Sequence, residues 1–436
     1  MMDFLIRMIK RTTPVRIISL GFALAILIGS GLLMLPCSLK AGVHLRYIDA
    51  LYTATSAVCV TGLIAVDAGD TFTPLGQFFL AVMIQVGGLG VTAIGAGIIL
   101  AIGRKINLKG RTLIREAMNL DSGKGMIRFI RAVFFTTILI ESIGAILSFF
   151  VFSRNYPPLK ALGISIFHSI AAFNNSGFDI LGGMQNLIPY RDDVFLNLVT
   201  CALIFFGGIG FLVICELVQT RLHWNKMSMH ARVVLSVSFV LTFGGMILLK
   251  MTEDFSWLVA FFHSVSARTA GFSTYPLGDF HTPGLLVMMV LMFIGASPGS
   301  TAGGIKTSTV FVLIQGIKSA ATNHTEKAFH YAIPKGAFRK ASVITILGGS
   351  IVFVCTYLLS ILEPQIPLTD LLFESVSAFG TVGLSTGITT QLCTASKLLC
   401  IVVMYIGRLG PLTIFSIWHY TLGERVRYPE GNISIG

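Results

Sequence analysis

The stretch Tyr52-Thr-Ala-Thr-Ser-Ala57, running on into VCVTGL at residues 58–63, decides the architecture because the chain repeats it. The counterparts are Phe167-His-Ser-Ile-Ala-Ala172 with FNNSGF, Phe262-His-Ser-Val-Ser-Ala267 with RTAGF, and Phe373-Glu-Ser-Val-Ser-Ala378 with FGTVGL. Each is an aromatic, four residues and an alanine, then a loop ending in Gly62, Gly177, Gly271 or Gly383 before a Leu or Phe. The step from alanine to glycine is five, five, four and five residues. A second motif follows in register: IQVGGLG, IFFGGIG, MFIGASPG and MYIGRLG. Its first glycines, 87, 207, 295 and 407, lie 25, 30, 24 and 24 residues past the loop glycine. Two motifs held in register four times define an internal repeat.

Long apolar runs flank each loop, at 17–36, 75–102, 129–152, 194–218, 232–249, 284–318, 341–361 and 396–421. A membrane-spanning helix needs about 20 apolar residues, and these eight suffice. The stretches 48–58, 160–173, 256–267 and 369–379 are too short to span and read as re-entrant pore helices. Of 436 residues, 54% are hydrophobic and 12% charged, about half the charge of a soluble domain. Of the 32 Lys and Arg, the N-terminus, 104–131, 221–232, 318–340 and the C-terminus hold 22, against seven in the opposite loops. The positive-inside rule therefore puts both termini in the cytoplasm and all four pore loops outside. The basic balance orients helices and does not point to nucleic acid. Seven cysteines show no metal spacing and read as buried thiols. No phosphate loop, metalloprotease motif or nucleophile elbow is present, so an embedded enzyme has no visible reaction centre.

The expected fold is an all-α membrane protein: four pseudo-symmetric helix–pore loop–helix repeats around a central pore, with eight spanning and four re-entrant helices. The repeats are taken as 1–110, 111–225, 226–325 with an interrupted second helix, and 326–436.

Non-helical backbone at membrane depth survives only where protein or a water-filled cavity satisfies it. Glycine can take φ > 0 and turn successive carbonyls to one side. Four such loops around an axis make rings of carbonyl oxygens, the chemistry that replaces the hydration shell of K⁺. The candidate filter is Val60, Thr61 and Gly62; Asn175, Ser176 and Gly177; Thr269, Ala270 and Gly271; and Thr381, Val382 and Gly383. No Asp or Glu lies within these loops, which disfavours a divalent site.

The second glycines of repeats one and two let helices approach closely. In repeat three the run Gly295, Ala296, Ser297, Pro298, Gly299, Ser300, Thr301, Ala302, Gly303, Gly304 should break the helix and lie as a gate loop beneath the filter. Arg408 replaces the second glycine in repeat four and is expected to tie that loop through its carbonyls. Lys306 reads as a stem snorkelling toward the cytoplasm. Arg268 should point behind the filter toward Glu374, and the two are the candidate filter supports. His168 and His263, aligned on pore helices two and three, read as interior hydrogen-bonders. Glu141 and Glu216 are isolated acids of the spanning region, Glu216 near an interface.

At these residues the sequence resembles the bacterial Ktr/Trk K⁺ transporters, with plant HKT and fungal Trk proteins more distant. The resemblance covers nearly the whole chain, and the length is similar to the Ktr membrane subunit. It implies K⁺ as the ion in the pore, with no organic cofactor in this chain. It further implies a homodimer in the bacterial inner membrane, each protomer with its own pore. A cytoplasmic nucleotide-binding (RCK/KTN-type) regulatory subunit and contact with lipid complete the implied partners. The polar FNNSGF departs from four-fold uniformity and bears on K⁺ over Na⁺ selectivity. The function expected is a gated, channel-like K⁺ pore. The alternative is a tightly Na⁺- or H⁺-coupled symporter, disfavoured because a single broken helix and few intramembrane acids are visible.

Overall fold

A computed structural model describes residues 14–101 and 125–419, almost entirely helical. Repeat one contains α1 (Pro14–Leu33), pore helix α2 (Tyr47–Val58), α3 (Pro74–Leu89) and α4 (Val91–Ala101). Repeat two contains α5 (Met126–Phe152), pore helix α6 (Pro158–Phe173), α7 (Val194–Ile209) and α8 (Phe211–Gln219). Repeat three has α9 (Met229–Thr252), pore helix α10 (Trp257–Ser266), α11 (Thr282–Phe293) and α12 (Thr307–Thr322). A two-stranded hairpin at 327–332 leads to repeat four: α13 (Ala337–Leu362), pore helix α14 (Leu368–Gly380), α15 (Thr394–Leu409) and α16 (Pro411–His419). The pore helices match the four short stretches to within two residues. The basic segment 104–131 falls largely outside the described residues.

The first helix of every repeat, α1, α5, α9 and α13, is long and apolar enough to cross a membrane. The second helices correct the sequence reading. Runs 75–102, 194–218 and 396–421 were expected to continue unbroken, but each breaks after 16 helical residues, at Gly90, Gly210 and Gly410. These glycines stand at φ of 85°, 90° and 89°, which helical geometry excludes and glycine tolerates. The bends are 97° between α3 and α4 and 98° between α7 and α8. In repeat three the break widens to residues 294–306, as its Pro and glycines foretold. Since all four second helices break, a count of broken helices no longer argues against coupled transport.

Packing is cyclic. Within a repeat, the first helix and the pore helix lie together. Between repeats, α3 packs on α6, α7 on α10, α11 on α14, and α15 returns to α2. Within repeats one, two and four, the first glycine of the second motif lets the second helix approach the pore helix. A Cβ on Gly87, Gly207 or Gly407 would overlap the backbone carbonyl of Val58, Phe173 or Phe379, the last turn of the same repeat's pore helix. The ring closes at the chain ends with a buried ion pair, Lys397 Nζ to Asp49 Oδ1 at 2.7 Å, joining α15 to α2. Arg46 adds a half-exposed bond to Asp49 at 2.8 Å.

Two stability predictions follow from this packing. Gly407→Ala should lower stability by about 3 kcal/mol, because backbone must move, whereas Gly349→Ala, with open space at its Cβ, should be neutral or better. Lys397→Ala should cost about 3 kcal/mol, the low end for breaking a buried pair, since Arg46 still reaches Asp49. Melting in detergent checks both; a Lys397→Met/Asp49→Leu double variant should recover most of the second loss.

Candidate functional site

Each pore helix ends in the middle of the molecule and its chain folds back on it in the same way. The amide of the middle filter residue donates to the carbonyl of the residue preceding the motif alanine: Thr61 to Ser56 at 2.7 Å, and Ser176 to Ala171, Ala270 to Ser266 and Val382 to Ser377, each at 2.9 Å. Two residues per loop take positive φ, in strict alternation. They are Val60 and Gly62 (56° and 90°), Asn175 and Gly177 (57° and 68°), Thr269 and Gly271 (76° and 78°), and Thr381 and Gly383 (51° and 96°). Left-handed residues at i and i+2 are costly outside glycine, yet they recur in all four loops.

The loops abut in a closed cycle. A Cβ on Gly62 would overlap the Ser176 carbonyl oxygen, one on Gly177 would crowd Ala270, one on Gly271 would meet Val382, and one on Gly383 would meet Thr61. Each of these loop glycines is thus pressed against the carbonyl just before the next repeat's glycine. The twelve candidate filter residues come together here, and the non-glycine ones are buried. Two residues that sequence reasoning passed over help to hold the ring. Ser56 Oγ accepts from the Gly62 amide at 2.9 Å, and Ser377 Oγ from the Gly383 amide at 3.1 Å. Their signal was present: serine precedes the motif alanine in three of the four repeats.

Beneath the ring, residues 295–304 leave α11 and run among the other repeats. The Ser297 amide donates to Gly208 at 3.0 Å and the Phe211 amide to Gly299 at 3.1 Å. Thr301 Oγ1 reaches the carbonyls of Gly207 and Phe173 at 3.2 and 3.3 Å. Gly303 faces Thr381, where a Cβ would not fit. Arg408 Nη1 donates to the Thr301 carbonyl, while Nη2 donates to Gly87 and, at 3.2 Å, to Gly88. One guanidinium therefore links repeats one, three and four, using the planar fork that only arginine offers. Lys306 differs from expectation. Its ammonium turns inward and donates to Ala302 at 2.6 Å and Gly303 at 3.2 Å, because the loop presents carbonyls that no helix satisfies.

Arg268 and Glu374 do not pair. Arg268 sits at the foot of α10 and donates to the Ser238 carbonyl of α9 at 3.3 Å. Glu374 lies two turns up α14 and accepts from Thr389, leaving its other oxygen without a partner. His168 bonds Thr200 at 2.9 Å. His263 has no hydrogen-bond partner and packs between Phe255, Phe262 and Phe280. Glu141 accepts from Asn174 at 3.0 Å, and Gln85 from the same amide at 2.8 Å, so both stand directly behind the filter of repeat two. Glu216 accepts from the Ser228 hydroxyl at 2.8 Å. All seven cysteines are free, but Cys37 and Cys393 are exposed rather than buried, each lying outside the long helices.

Above the ring, an open vestibule of 480 Å³ is bordered by Asn186, Ser273, Ser385 and Thr389. Asp179 accepts a hydrogen bond from the vestibule residue Asn186 at 3.1 Å. Burial raises its carboxyl to about 7, against the opposing hydrogen bonds from the Leu181 amide and Asn186.

Comparison with known proteins agrees with this geometry. The family model described as "TrkH: Cation transport protein" matches residues 23–231 and 230–419. Ktr system potassium uptake protein B of Bacillus subtilis (strain 168) is 37% identical over 98% of this chain and 97% of its own. Potassium/sodium uptake protein NtpJ of Enterococcus hirae is 36% identical over 99% of both chains. The protein B counterpart of Vibrio alginolyticus is 33% identical over 97% of this chain and 94% of its own. Among solved structures, the potassium transporter TrkH from Vibrio parahaemolyticus superposes with a TM-score of 0.74 at 17% identity, covering 94% of this chain and 86% of that one. Four repeats, a closed ring of glycine loops and two matches of one family model that span nearly the whole length agree: the chain belongs to the TrkH family of cation transport proteins.

Proposed function

We propose that this chain is the ion-translocating membrane subunit of a K⁺ uptake system, with a channel-like pore, a carbonyl filter and a gate. The observation that carries the reading is the alternation of positive φ in all four loops, closed into a ring by glycine-to-carbonyl contact. Alternating left- and right-handed residues turn successive carbonyls toward one side, and rings of neutral oxygens suit a monovalent cation. K⁺ is favoured by the names of the relatives from Bacillus and Vibrio, both potassium uptake proteins. The name of the Enterococcus relative includes sodium as well. In this reading the vestibule faces outward and both termini face the cytoplasm. The chain works as a homodimer in the bacterial inner membrane with a cytoplasmic nucleotide-binding regulatory subunit, as the family resemblance implies.

Residues 295–304 serve as the gate, held shut by Arg408 and Lys306. A flexible, carbonyl-rich segment tied by two cations beneath a cation filter blocks by bulk and by charge together. The filter supports are indirect: Arg268 fixes α10 to α9, and Glu374 fixes the outer loop of repeat four. The rival reading, tight Na⁺ or H⁺ coupling, would recruit intramembrane acids. Glu141 already serves Asn174, and among the described residues no three acids, histidines or cysteines cluster to hold a metal ion.

Labelled K⁺ uptake into liposomes, with and without a Na⁺ gradient, separates a pore from a coupled carrier; uptake that stops without Na⁺ flow would favour the carrier. Gly383→Ser and Gly62→Ser, each adding a Cβ where both φ and a neighbouring carbonyl forbid it, should weaken K⁺ over Na⁺ discrimination by at least about tenfold. Arg408→Gln should leave the flux ratio intact and raise leak per folded molecule. An unstable protein with normal flux per folded molecule would make Arg408 a packing clamp instead.

A further inference from the structure

Repeat two alone carries a longer link between its two motifs, 30 residues against 24 or 25. The added residues lie within 178–193, on the vestibule side, outside the filter loops and the gate segment. They form a brace across three repeats. The Gly183 and Met184 amides donate to Asp70 and Asp67 of repeat one at 2.9 and 2.6 Å. The Leu187 amide donates to the Ser273 carbonyl of repeat three at 3.1 Å. Asn186 is at the centre, with φ of 51°, a conformation that asparagine tolerates better than most residues.

Its carboxamide is fully used. Nδ2 donates to the Gly177 carbonyl and to the Asp179 carboxylate, both at 3.1 Å. Oδ1 accepts from the Ser273 amide and from its own neighbour Leu187, both at 3.0 Å. Two donors and two lone pairs are all that an amide has, so the contacts fix its orientation. Gly177 is a filter glycine, and among the described residues the carbonyls of Gly62, Gly271 and Gly383 accept no side-chain hydrogen bond. The outer ring of the filter therefore has one carbonyl restrained by a donor that is itself anchored to the next repeat.

We infer that Asn186 is a specificity-determining residue and that the insertion of repeat two exists to place it. This rests on the filter reading above. A smaller ion is coordinated well only if carbonyls move inward after it. A carbonyl held from the vestibule side by Asn186 resists that movement. Its lone pair is also shared with a donor, which lowers the field that it offers to an ion. Both effects penalise Na⁺ more than K⁺. The polar repeat-two loop, which broke the four-fold pattern of the sequence, thereby contributes to selectivity through its outer support.

The test is the K⁺/Na⁺ flux ratio of the full chain in proteoliposomes, normalised to folded protein. Asn186→Gly accepts the same φ and removes the carboxamide. Asn186→Asp keeps the acceptor contacts and loses the donor to Gly177. Both should lower the ratio by roughly tenfold, the scale of one hydrogen bond, with K⁺ flux retained. Gly62→Ser runs beside them. If it collapses the ratio while both Asn186 variants keep the wild-type value, Asn186 only braces the fold and the inference is overturned. If Gly62→Ser leaves the ratio unchanged, the filter reading fails first and takes the inference with it.

Discussion

The structure depends on a steric constraint: at four places around one axis, a glycine α-carbon lies against the carbonyl that precedes the next repeat's glycine. No side chain fits there, and no residue with a Cβ adopts those φ values readily. Most of the rest can be read as what is needed to bring four backbones that close. The pore helices must end near the axis, so their last carbonyls are seated on Gly87, Gly207 and Gly407. The filter amides fold back on the pore helices, which satisfies polar groups that hydrocarbon could not. The ring must also close between the first and last repeats, and there the chain spends a buried Lys397–Asp49 pair.

Departures from four-fold symmetry mark the working parts. Repeat three loosens its second helix over thirteen residues where the others use one glycine. Repeat four replaces a glycine by Arg408, whose guanidinium joins the Thr301 carbonyl freed by that loosening to the Gly87 carbonyl of repeat one. Repeat two lengthens its outer link and gains Asn186. The ring of loops is uniform and its surround is not. The chain supplies the first by repetition and the second by local exceptions.

Much of this was legible in the sequence because repetition multiplies a weak signal. One glycine followed by leucine means little; four in register, each after the same aromatic-to-alanine stretch, locate the loops and the pore helices. The helix break of repeat three was legible from Pro298 and its glycines. The bends at Gly90, Gly210 and Gly410 were missed, although these residues are the last glycines of the second motif. Hydropathy continues across them, and apolar runs carry no information about direction. Arg268 and Glu374 looked like partners because opposite charges in a membrane invite pairing, but they stand at different heights on neighbouring pore helices. Lys306 looked like a snorkelling stem because unsatisfied carbonyls within its reach appear only once the chain is folded. Asn186 could have been suspected from the 30-residue spacing, yet the Gly177 carbonyl and the Ser273 amide that it joins come within its reach only once the chain is folded.

The proposed pore turns on whether the permeant ion binds on the common axis of four backbone loops that have no acidic side chain among them. Thallium, a heavy K⁺ mimic, offers the most direct measurement, through its anomalous signal in crystals grown with Tl⁺ in place of K⁺. Peaks should lie on the axis of the ring formed by residues 60–62, 175–177, 269–271 and 381–383, and should fade when excess K⁺ is added back. Strong signal at Glu141 and Gln85, with none on that axis, would contradict the account and move the ion's path behind the filter of repeat two.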